Sequence, residues 1–318
     1  MRFAQRIGLI RGEWIAIDGT KFRAVASADS VRERQALERY LDTMDEADEE
    51  QQAGIDPSAV QSALEELKRH PEPEAGFMRM ANGRAPAYNV QTAVDAEHAL
   101  IVAQQVTTEG NDQRCLQPMA EAAKQALAEP PLLNVVADAG YSNGEQAEAC
   151  EASGITPYVP VRRGVNNHGD GILFDRTRFR YDPASDTFQC PAGQTLMRKQ
   201  LSRKDRAIYY AGRPQICGAC SIQSKCTTGA QRLLTRHLHD EALQRMQQRT
   251  TPAIMRLRRS TVEHPFATLK YRIFGHPRLL LRGRAGAQTE ITLGVMAYNL
   301  KRMFNILGGQ KLAAALPT

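Results

Sequence analysis

Three carboxylates, Asp18, Asp138 and Glu263, have the residue type and the sequence context of a site for divalent metal ions. Asp18 and Asp138 each follow an apolar run, in "EWIAIDGT" and "NVVADAGYS", and each precedes a glycine turn. We therefore predict that each lies at the C-terminal end of a strand, where open α/β sheets place their sites. Glu263 is a single acidic residue in the basic segment "RRSTVEHPFATLKYR", whose pattern predicts a helix.

Two Asp and one Glu from separated segments are the ligands that a pair of Mg²⁺ or Mn²⁺ ions needs, because hard cations prefer oxygen donors. On a helix, Arg259, Glu263 and Lys270 share one face, which would hold phosphates beside the metals. Two structural interpretations remain open. An Asp at a strand end is often a turn former or a cap, and Arg259 with Glu263 could be a surface ion pair.

The charge of the chain is divided unevenly between its two halves. Residues 1–158 contain 14 Lys and Arg against 26 Asp and Glu, whereas residues 159–318 contain 27 against 9. The basic half suits a polyanion, of which nucleic acid is the commonest, and the alternative is a solvated basic surface. No run of about 18 apolar residues and no secretory signal occur, so we expect no membrane span and a cytoplasmic location.

Four of the six cysteines lie close together in the sequence, in "CPAGQTL" and "CGACSIQSKC". They are Cys190, Cys217, Cys220 and Cys226. In a cytoplasmic chain this spacing favours metal thiolates over disulfides, which predicts a structural Zn²⁺ site. Free or redox-active thiols are the alternative, since 26 residues between the first two cysteines exceed common zinc-ribbon spacings.

The order of the predicted elements indicates a mixed α/β sheet with helices on its faces. We expect a first strand region over 1–28, an acidic helical insert over 29–76 and a core over 77–161. A mostly β, cysteine-containing subdomain follows over 162–235, and residues 236–318 return to helix and carry Glu263.

Two helices have features that can be checked directly. We predict that Asn111 or Asp112 caps the helix in "NDQRCLQPMAEAAKQALAE". The final amphipathic helix is predicted to have one apolar face, formed by Leu293, Met296, Leu300 and Met303.

Over nearly all 318 residues the chain resembles the DDE transposases of bacterial insertion sequences. The matching segments are "IAIDGTKF" around Asp18, "YNVQTAVD" at 88–95, "VVADAGYSN" around Asp138 and "STVEHPFATLK" around Glu263. The cysteine-bearing segment is similar to the insert that one branch of these transposases carries before the last acidic residue. The resemblance implies an RNase H-like catalytic core.

The resemblance also implies a mechanism. Asp18, Asp138 and Glu263 would ligate two Mg²⁺ or Mn²⁺ ions, and a metal-bound water would cleave the phosphodiester at the transposon end. The freed 3′-hydroxyl would then attack target DNA in line. Transposon ends and target DNA are therefore the expected partners, at the nucleoid, and the active form is expected to be a homodimer.

In many of these enzymes the glutamate helix has the pattern Tyr, two residues, Arg, three residues, Glu, six residues, Lys. Arg259, Glu263 and Lys270 fit this spacing, and Arg256 occupies the Tyr position. The resemblance implies that Arg256, Arg259 and Lys270 contact DNA phosphates, and that the Arg at position 256 loses any aromatic stacking.

Relatives carry a long helical region before the first catalytic strand, whereas Asp18 comes early in this sequence. We therefore expect a truncated copy, a catalytic core without its sequence reader. Two other functions remain open. One is a DNA-binding remnant, inactive or domesticated, and the other is a general RNase H-like nuclease that cuts without strand transfer.

Overall fold

The structure is a computed structural model that describes residues 2–45, 56–69, 72, 74–80, 83–161, 173–203 and 206–315. The chain divides into two units. The first comprises Met1–Tyr141, Ala149–Pro160 and Arg249–Thr318, and the second comprises Ser142–Glu148 and Val161–Gln248. Residues 46–55 of the predicted acidic helical insert, and residues 162–172 of the predicted cysteine-containing subdomain, lie outside the described residues.

The strands of the described residues, in chain order, are β1 (Trp14–Arg23), β2 (Gly76–Met80), β3 (Gly83–Asp95), β4 (Ile101–Thr107), β5 (Leu133–Val136), β6 (Ile155–Tyr158), β7 (Arg180–Asp182), β8 (Thr187–Gln189), β9 (Thr195–Ser202), β10 (Ala207–Ala211) and β11 (Leu233–His237). The α-helices of the same residues are α1 (Arg2–Arg6), α2 (Ala28–Asp45), α3 (Pro57–Lys68), α4 (Leu116–Ala126), α5 (Gly144–Ala152), α6 (Pro214–Gly218), α7 (Asp240–Arg249), α8 (Pro252–Thr268), α9 (Gly283–Leu307) and α10 (Gly309–Ala315). No helix in this described part is both long and apolar enough to cross a bilayer.

The first unit contains a mixed sheet in the order β4, β3, β1, β5, β6, with β2 pairing the first residues of β3. The pairs β1–β3 and β3–β4 are antiparallel, whereas β1–β5 and β5–β6 are parallel. This is the strand order of the RNase H fold, and α4, α8 and α9 pack on the sheet. The predicted fold class, a mixed α/β sheet flanked by helices, is confirmed.

The two faces of the long strand β3 carry different kinds of side chain. Tyr88, Val90 and Val94 belong to the apolar core that includes residues of α9. Because successive side chains of a strand point to opposite faces, Asn89 and Gln91 lie on the other face. Both are fully buried there, and their side-chain amides donate hydrogen bonds to Asp112. One face of β3 is therefore apolar, and the other carries buried polar groups.

Helix α9 binds the free edge of β4 through side chains that replace a neighbouring strand. The side-chain amide of Asn299 donates to the carbonyl of Ile101 at 2.8 Å and accepts from its backbone N–H at 2.9 Å. One turn after the start of α9, Gln288 accepts from the backbone N–H of Val106 at 2.8 Å. Unpaired edge groups invite association with other strands, so these bonds both cover the edge and fix the position of α9.

The predicted apolar face of α9 is present, but it is not the face that packs on the core. Leu293, Met296 and Leu300 are exposed and Met303 is only half-buried. The buried stripe is instead formed by Ala287, Ile291, Val295 and Tyr298. Helix α9 has two apolar stripes, and the polar residues that bond to β4 lie between them, so the hydrogen bonds to Ile101 and Val106 fix which stripe faces the core.

The second unit is mostly β, as predicted. Its strands form one antiparallel sheet in the order β11, β10, β9, β8, β7. A small core of Phe179, Phe188, Leu196, Ile208, Tyr210 and Leu234 lies on this sheet. Helix α7 clusters with this unit up to Gln248, so the unit extends beyond the predicted end at residue 235.

We expect Asn299→Leu to lower the free energy of unfolding by about 2–4 kcal/mol, because it removes two hydrogen bonds and leaves the N–H and C=O of Ile101 buried without partners. Urea unfolding measures the change. Asn305→Leu, on an exposed position of the same helix, is the control and should change stability by less than about 0.5 kcal/mol. Equal losses in the two variants would show that the edge bonds do not stabilise the fold.

Candidate active site

The parallel pairing of β1 with β5 brings Asp18 and Asp138 to one face of the sheet. Ala16 is paired with Val136, and Asp18 and Asp138 each follow two residues later. Because side chains alternate with a period of two, both carboxylates lie on the face of Ala16 and Val136. That face is covered by Val262 of α8, which packs against both residues.

Asp18 does not end its strand. β1 continues to Arg23, because β3 pairs with it antiparallel along its whole length, with Asp18 opposite Thr92. The prediction of a strand end at Asp18 is therefore wrong. Asp138, in contrast, lies two residues after the last residue of β5, in a turn where its Oδ1 accepts from the N–H of Gly140 at 2.7 Å.

The guanidinium of Arg258, on α8, lies between the two aspartates. Its Nη2 is 2.6 Å from Oδ1 of Asp18 and 3.6 Å from Oδ2 of Asp138. The side chain of Arg258 is only 13% exposed, and that of Asp18 only 20%. The sequence pattern indicated Arg259 and did not identify Arg258. The available signal was its position four residues before Val262, on the same helix face.

Glu263 is not brought to this pair. Its side chain is exposed on α8, as are those of Arg256 and Arg259. Residue 263 lies about 140° around the helix from residue 258, which turns it away from the sheet. Over the described ranges Glu263 forms no ion pair with Arg259, and no three His, Cys, Asp or Glu side chains are arranged to hold a metal ion.

Lys270 does lie near Asp18. It follows α8 in a π-helical turn over Leu269–Ile273, and its Nζ is 6.0 Å from the centre of the Phe22 ring. Burial lowers the pKa of Lys270, and the charge of Asp18 opposes that shift. Of the three predicted phosphate-binding residues, only Lys270 is therefore close to the aspartates.

Behind the aspartates, on the opposite face of the sheet, lies a second polar cluster that the sequence did not indicate. Oδ1 of Asp112 accepts from the side-chain amides of Asn89 at 2.8 Å and Gln91 at 2.7 Å. The ammonium of Lys21 is 3.8 Å from the same oxygen, and the hydroxyl of Tyr141 donates to Gln91. Neither predicted capping residue occupies the cap of α4, because that helix starts at Leu116 with Cys115 as its N-cap.

Gly19 allows the two clusters to lie close together. A Cβ at this position would be 2.2 Å from Nε2 of Gln91 and 2.7 Å from Oδ1 of Asp112. A larger residue would displace the ends of the Gln91 and Asp112 side chains. The glycine of "IDGT" thus leaves room for these two side chains, and it lies within strand β1.

Burial raises the pKa of Asp18 to about 6. Arg258 and the N–H of Gly19 oppose that rise, whereas the charges of Asp138 and Asp112 add to it. The charged form of Asp18 is thus costly at this position. A further cation at this point would therefore be favourable.

The pH dependence of stability should reveal this carboxyl. A folded-state pKa above the ordinary value of 3.8 means that Asp18 favours the folded protein below about pH 4, and that this contribution is lost as the pH rises through about 6. In EDTA, the native protein should lose at most about 3 kcal/mol relative to Asp18→Asn over this range. Urea unfolding at each pH measures the difference, and the exposed Glu33→Gln serves as control. A pH-independent difference between native protein and Asp18→Asn would contradict the assignment.

A separate candidate site lies in the second unit. Cys190, Cys217, Cys220 and Cys226 line one apolar cavity of about 30 Å³, and none of them is in a disulfide. Burial raises the pKa of Cys226, and the other three thiols add to that rise. Gly212 makes room for one of them, since a Cβ there would be 2.7 Å from Sγ of Cys217.

Comparison with known proteins bears on the aspartate site. A family model described as the transposase DDE domain matches residues 14–300, which include Asp18, Asp138 and Glu263. Among solved structures, the chain is similar to a piggyBac transposase seen by cryo-EM in a synaptic complex with hairpin DNA, at 8% identity and a TM-score of 0.38. That match covers 92% of this chain and 47% of the other, so the chain spans about half the length of that transposase. No curated protein matches. Because the family model covers most of its length, the chain belongs to the transposase DDE domain family.

Proposed function

We propose that this protein is a DDE transposase that cuts the DNA ends of a transposon and transfers them to target DNA, using Mg²⁺ or Mn²⁺. The observation that carries the proposal is the meeting of Asp18 and Asp138 around one cation, on adjacent parallel strands of an RNase H-like sheet. Oxygen donors of two carboxylates suit a hard divalent ion. Bound ions would supply Lewis-acid stabilisation of the charge that develops on a phosphodiester.

The cations of α8 and the turn after it would hold the DNA. Lys270 lies near Asp18 and would bind a phosphate next to the reacting one. Arg256 and Arg259 are exposed on α8 and would contact the backbone further away. Such contacts carry no sequence information, so binding would fall steeply with salt and discriminate weakly between sequences.

Glu263 is proposed as the third metal ligand, and this role requires a rearrangement of α8. In this structure its side chain is exposed and separate from the aspartates, while Arg258 occupies the sheet-facing position. A carboxylate in a basic, phosphate-binding segment repels DNA unless a cation neutralises it. That electrostatic cost gives Glu263 a reason to join the metal site when DNA is bound.

We also propose that the active form is a homodimer acting at the nucleoid. Leu293, Met296, Leu300 and Phe304 of α9 are all more than half exposed and recur every three or four residues. Such a stripe is typical of a helix that pairs with a second copy.

Two other functions can be distinguished from transposition by an assay of DNA cleavage and joining. The exposed position of Glu263, and the neutralisation of the aspartates by Arg258, favour a protein that binds DNA without cutting it. Such a protein would shift labelled DNA and leave it intact. A general RNase H-like nuclease would instead cut RNA–DNA hybrids and join nothing.

The test uses a supercoiled plasmid that carries the DNA flanking the gene, incubated with the protein in Mg²⁺. The native protein should nick and join the ends, and Asp18→Asn or Asp138→Asn should reduce the rate at least about a thousandfold, since a metal ligand supplies several kcal/mol of transition-state stabilisation. Glu263→Gln should do the same while keeping DNA binding equal or tighter in EDTA. The exposed Glu33→Gln is the matched control. Full activity of Glu263→Gln would remove it as a ligand, and an inert native protein would contradict transposase activity of this chain.

The four thiols of the second unit are proposed to bind one structural Zn²⁺. Four soft sulfur donors around a single cavity suit zinc, although as they lie their sulfurs do not form a ligand set. Free or redox-active thiols are the alternative. Bound zinc would tie the end of β8 to the segment around α6, which the small core of this unit does not include.

Elemental analysis of purified protein should find one zinc per chain. Removing it with a chelator should lower the melting temperature of the native protein, because the coordination energy stabilises the fold. Cys220→Ser should lower the melting temperature before chelation and respond little to the chelator. Absence of zinc, together with four thiols that react freely with a thiol reagent, would favour the redox alternative.

A further inference from the structure

We propose that Arg258 is a built-in counter-cation, which neutralises the Asp18–Asp138 pair in the metal-free protein and leaves it when a divalent ion binds. The inference rests on the proposed function, because it assigns the same two aspartates to the metal. It adds a residue that neither the acidic triad nor the predicted phosphate contacts include.

The geometry supports competition for the same oxygens. Nη2 of Arg258 is 2.6 Å from Oδ1 of Asp18 and 3.6 Å from Oδ2 of Asp138, so one guanidinium nitrogen forms an ion pair with both carboxylates. A guanidinium has donors only and cannot ligate a metal. Mg²⁺ requires its oxygen ligands at about 2.0–2.1 Å in a nearly octahedral arrangement. An ion shared by these two carboxylates therefore needs the space that Arg258 now fills.

The electrostatics explain why a cation must be present in either state. Asp18 is largely buried, and both Asp138 and Asp112 add negative potential to it. Lys21 lies on the opposite face beside Asp112, and Lys270 is near the Phe22 ring. Of the described side chains that form ion pairs with either aspartate, only Arg258 contacts both of them. Without Arg258 or a metal, the largely buried carboxylate of Asp18 would face the charge of Asp138, whose side chain is 46% exposed, and the two would repel each other.

The hydrogen bonding of the Arg258 side chain is incomplete. Its Nε is buried and has no hydrogen-bond partner among the described residues. Leaving such a donor unpaired costs free energy, which release into solvent would recover. A released guanidinium would join Arg256 and Arg259 on the exposed side of α8 and could then bind phosphate in a bidentate manner. Metal binding would thus add one cation to the proposed DNA-binding surface.

Two neighbouring arginines of α8 provide a matched test. Mn²⁺ binding is measured by electron paramagnetic resonance for the native protein, Arg258→Gln and Arg259→Gln. Both variants lose one positive charge, but only Arg258 contacts the aspartates. We expect Arg258→Gln to bind Mn²⁺ about tenfold more tightly than Arg259→Gln, because the competitor is removed. Equal or weaker binding by Arg258→Gln would overturn the proposal.

A second measurement uses the native chain, so it stays decisive if Arg258→Gln does not fold. Arginine side chains are modified with phenylglyoxal in EDTA and in Mg²⁺, and the modified positions are identified by peptide mass spectrometry. Modification of Arg258 should rise severalfold in Mg²⁺. Arg176, 17% exposed and paired with Asp240 at 2.8 Å, is the control and should not change.

These measurements distinguish a failure of the proposed metal site from a failure of the proposed role of Arg258. If Mn²⁺ binds the native protein and Asp18→Asn equally, or binds neither, the proposed metal site itself is wrong. If Asp18→Asn abolishes binding but Arg258 remains protected in Mg²⁺, the metal site stands and only the role of Arg258 is refuted.

Discussion

Two carboxylates on neighbouring parallel strands repel each other, and the first unit is organised around the cation that prevents this. The register of β1 with β5 places Asp18 beside Asp138 on one face, and Arg258 supplies the charge between them. Arg258 can do so because Val262, one helical turn further, packs against Ala16 and Val136. The position of α8 and the neutralisation of the aspartates therefore depend on the same contact.

The sheet also separates two kinds of polar chemistry. Asp18 faces α8, whereas Asp112, Lys21 and Gln91 form a hydrogen-bonded and ion-paired cluster on the other side of the strand. Strand β1 lies between them, and Gly19 leaves the room that the side chains of Gln91 and Asp112 occupy against that strand. This arrangement lets Asp112 raise the pKa of Asp18 without sharing its face. The contacts of Asp112 itself are made with Asn89 and Gln91 of β3 and with Lys21 of β1.

The sequence was sufficient for features that depend on period and order. Alternating apolar runs predicted the strands, and their order with the helices predicted the fold class. Aspartates after two apolar runs indicated a shared edge, which is where Asp18 and Asp138 meet, although β1 continues past Asp18 because β3 pairs with it throughout. The sequence pattern could not predict which residues of a helix face the sheet, because that depends on the rotation of the helix about its axis. Successive residues of an α-helix are rotated by about 100° around its axis, so Arg258 points toward the sheet while Arg259 is exposed. Likewise, two apolar stripes on α9 left the choice to the hydrogen bonds with β4, which no local pattern contains.

We propose that Asp18 and Asp138 form a divalent-metal site and that Arg258 takes the place of the ion until metal binds. The most direct measurement is a pair of crystal structures of this protein, without metal and soaked in MnCl₂, with anomalous difference maps at the manganese edge. We expect a manganese peak between the two carboxylates and a displaced Arg258 side chain. A map without a peak at this point, with Arg258 still between the aspartates at saturating manganese, would contradict it.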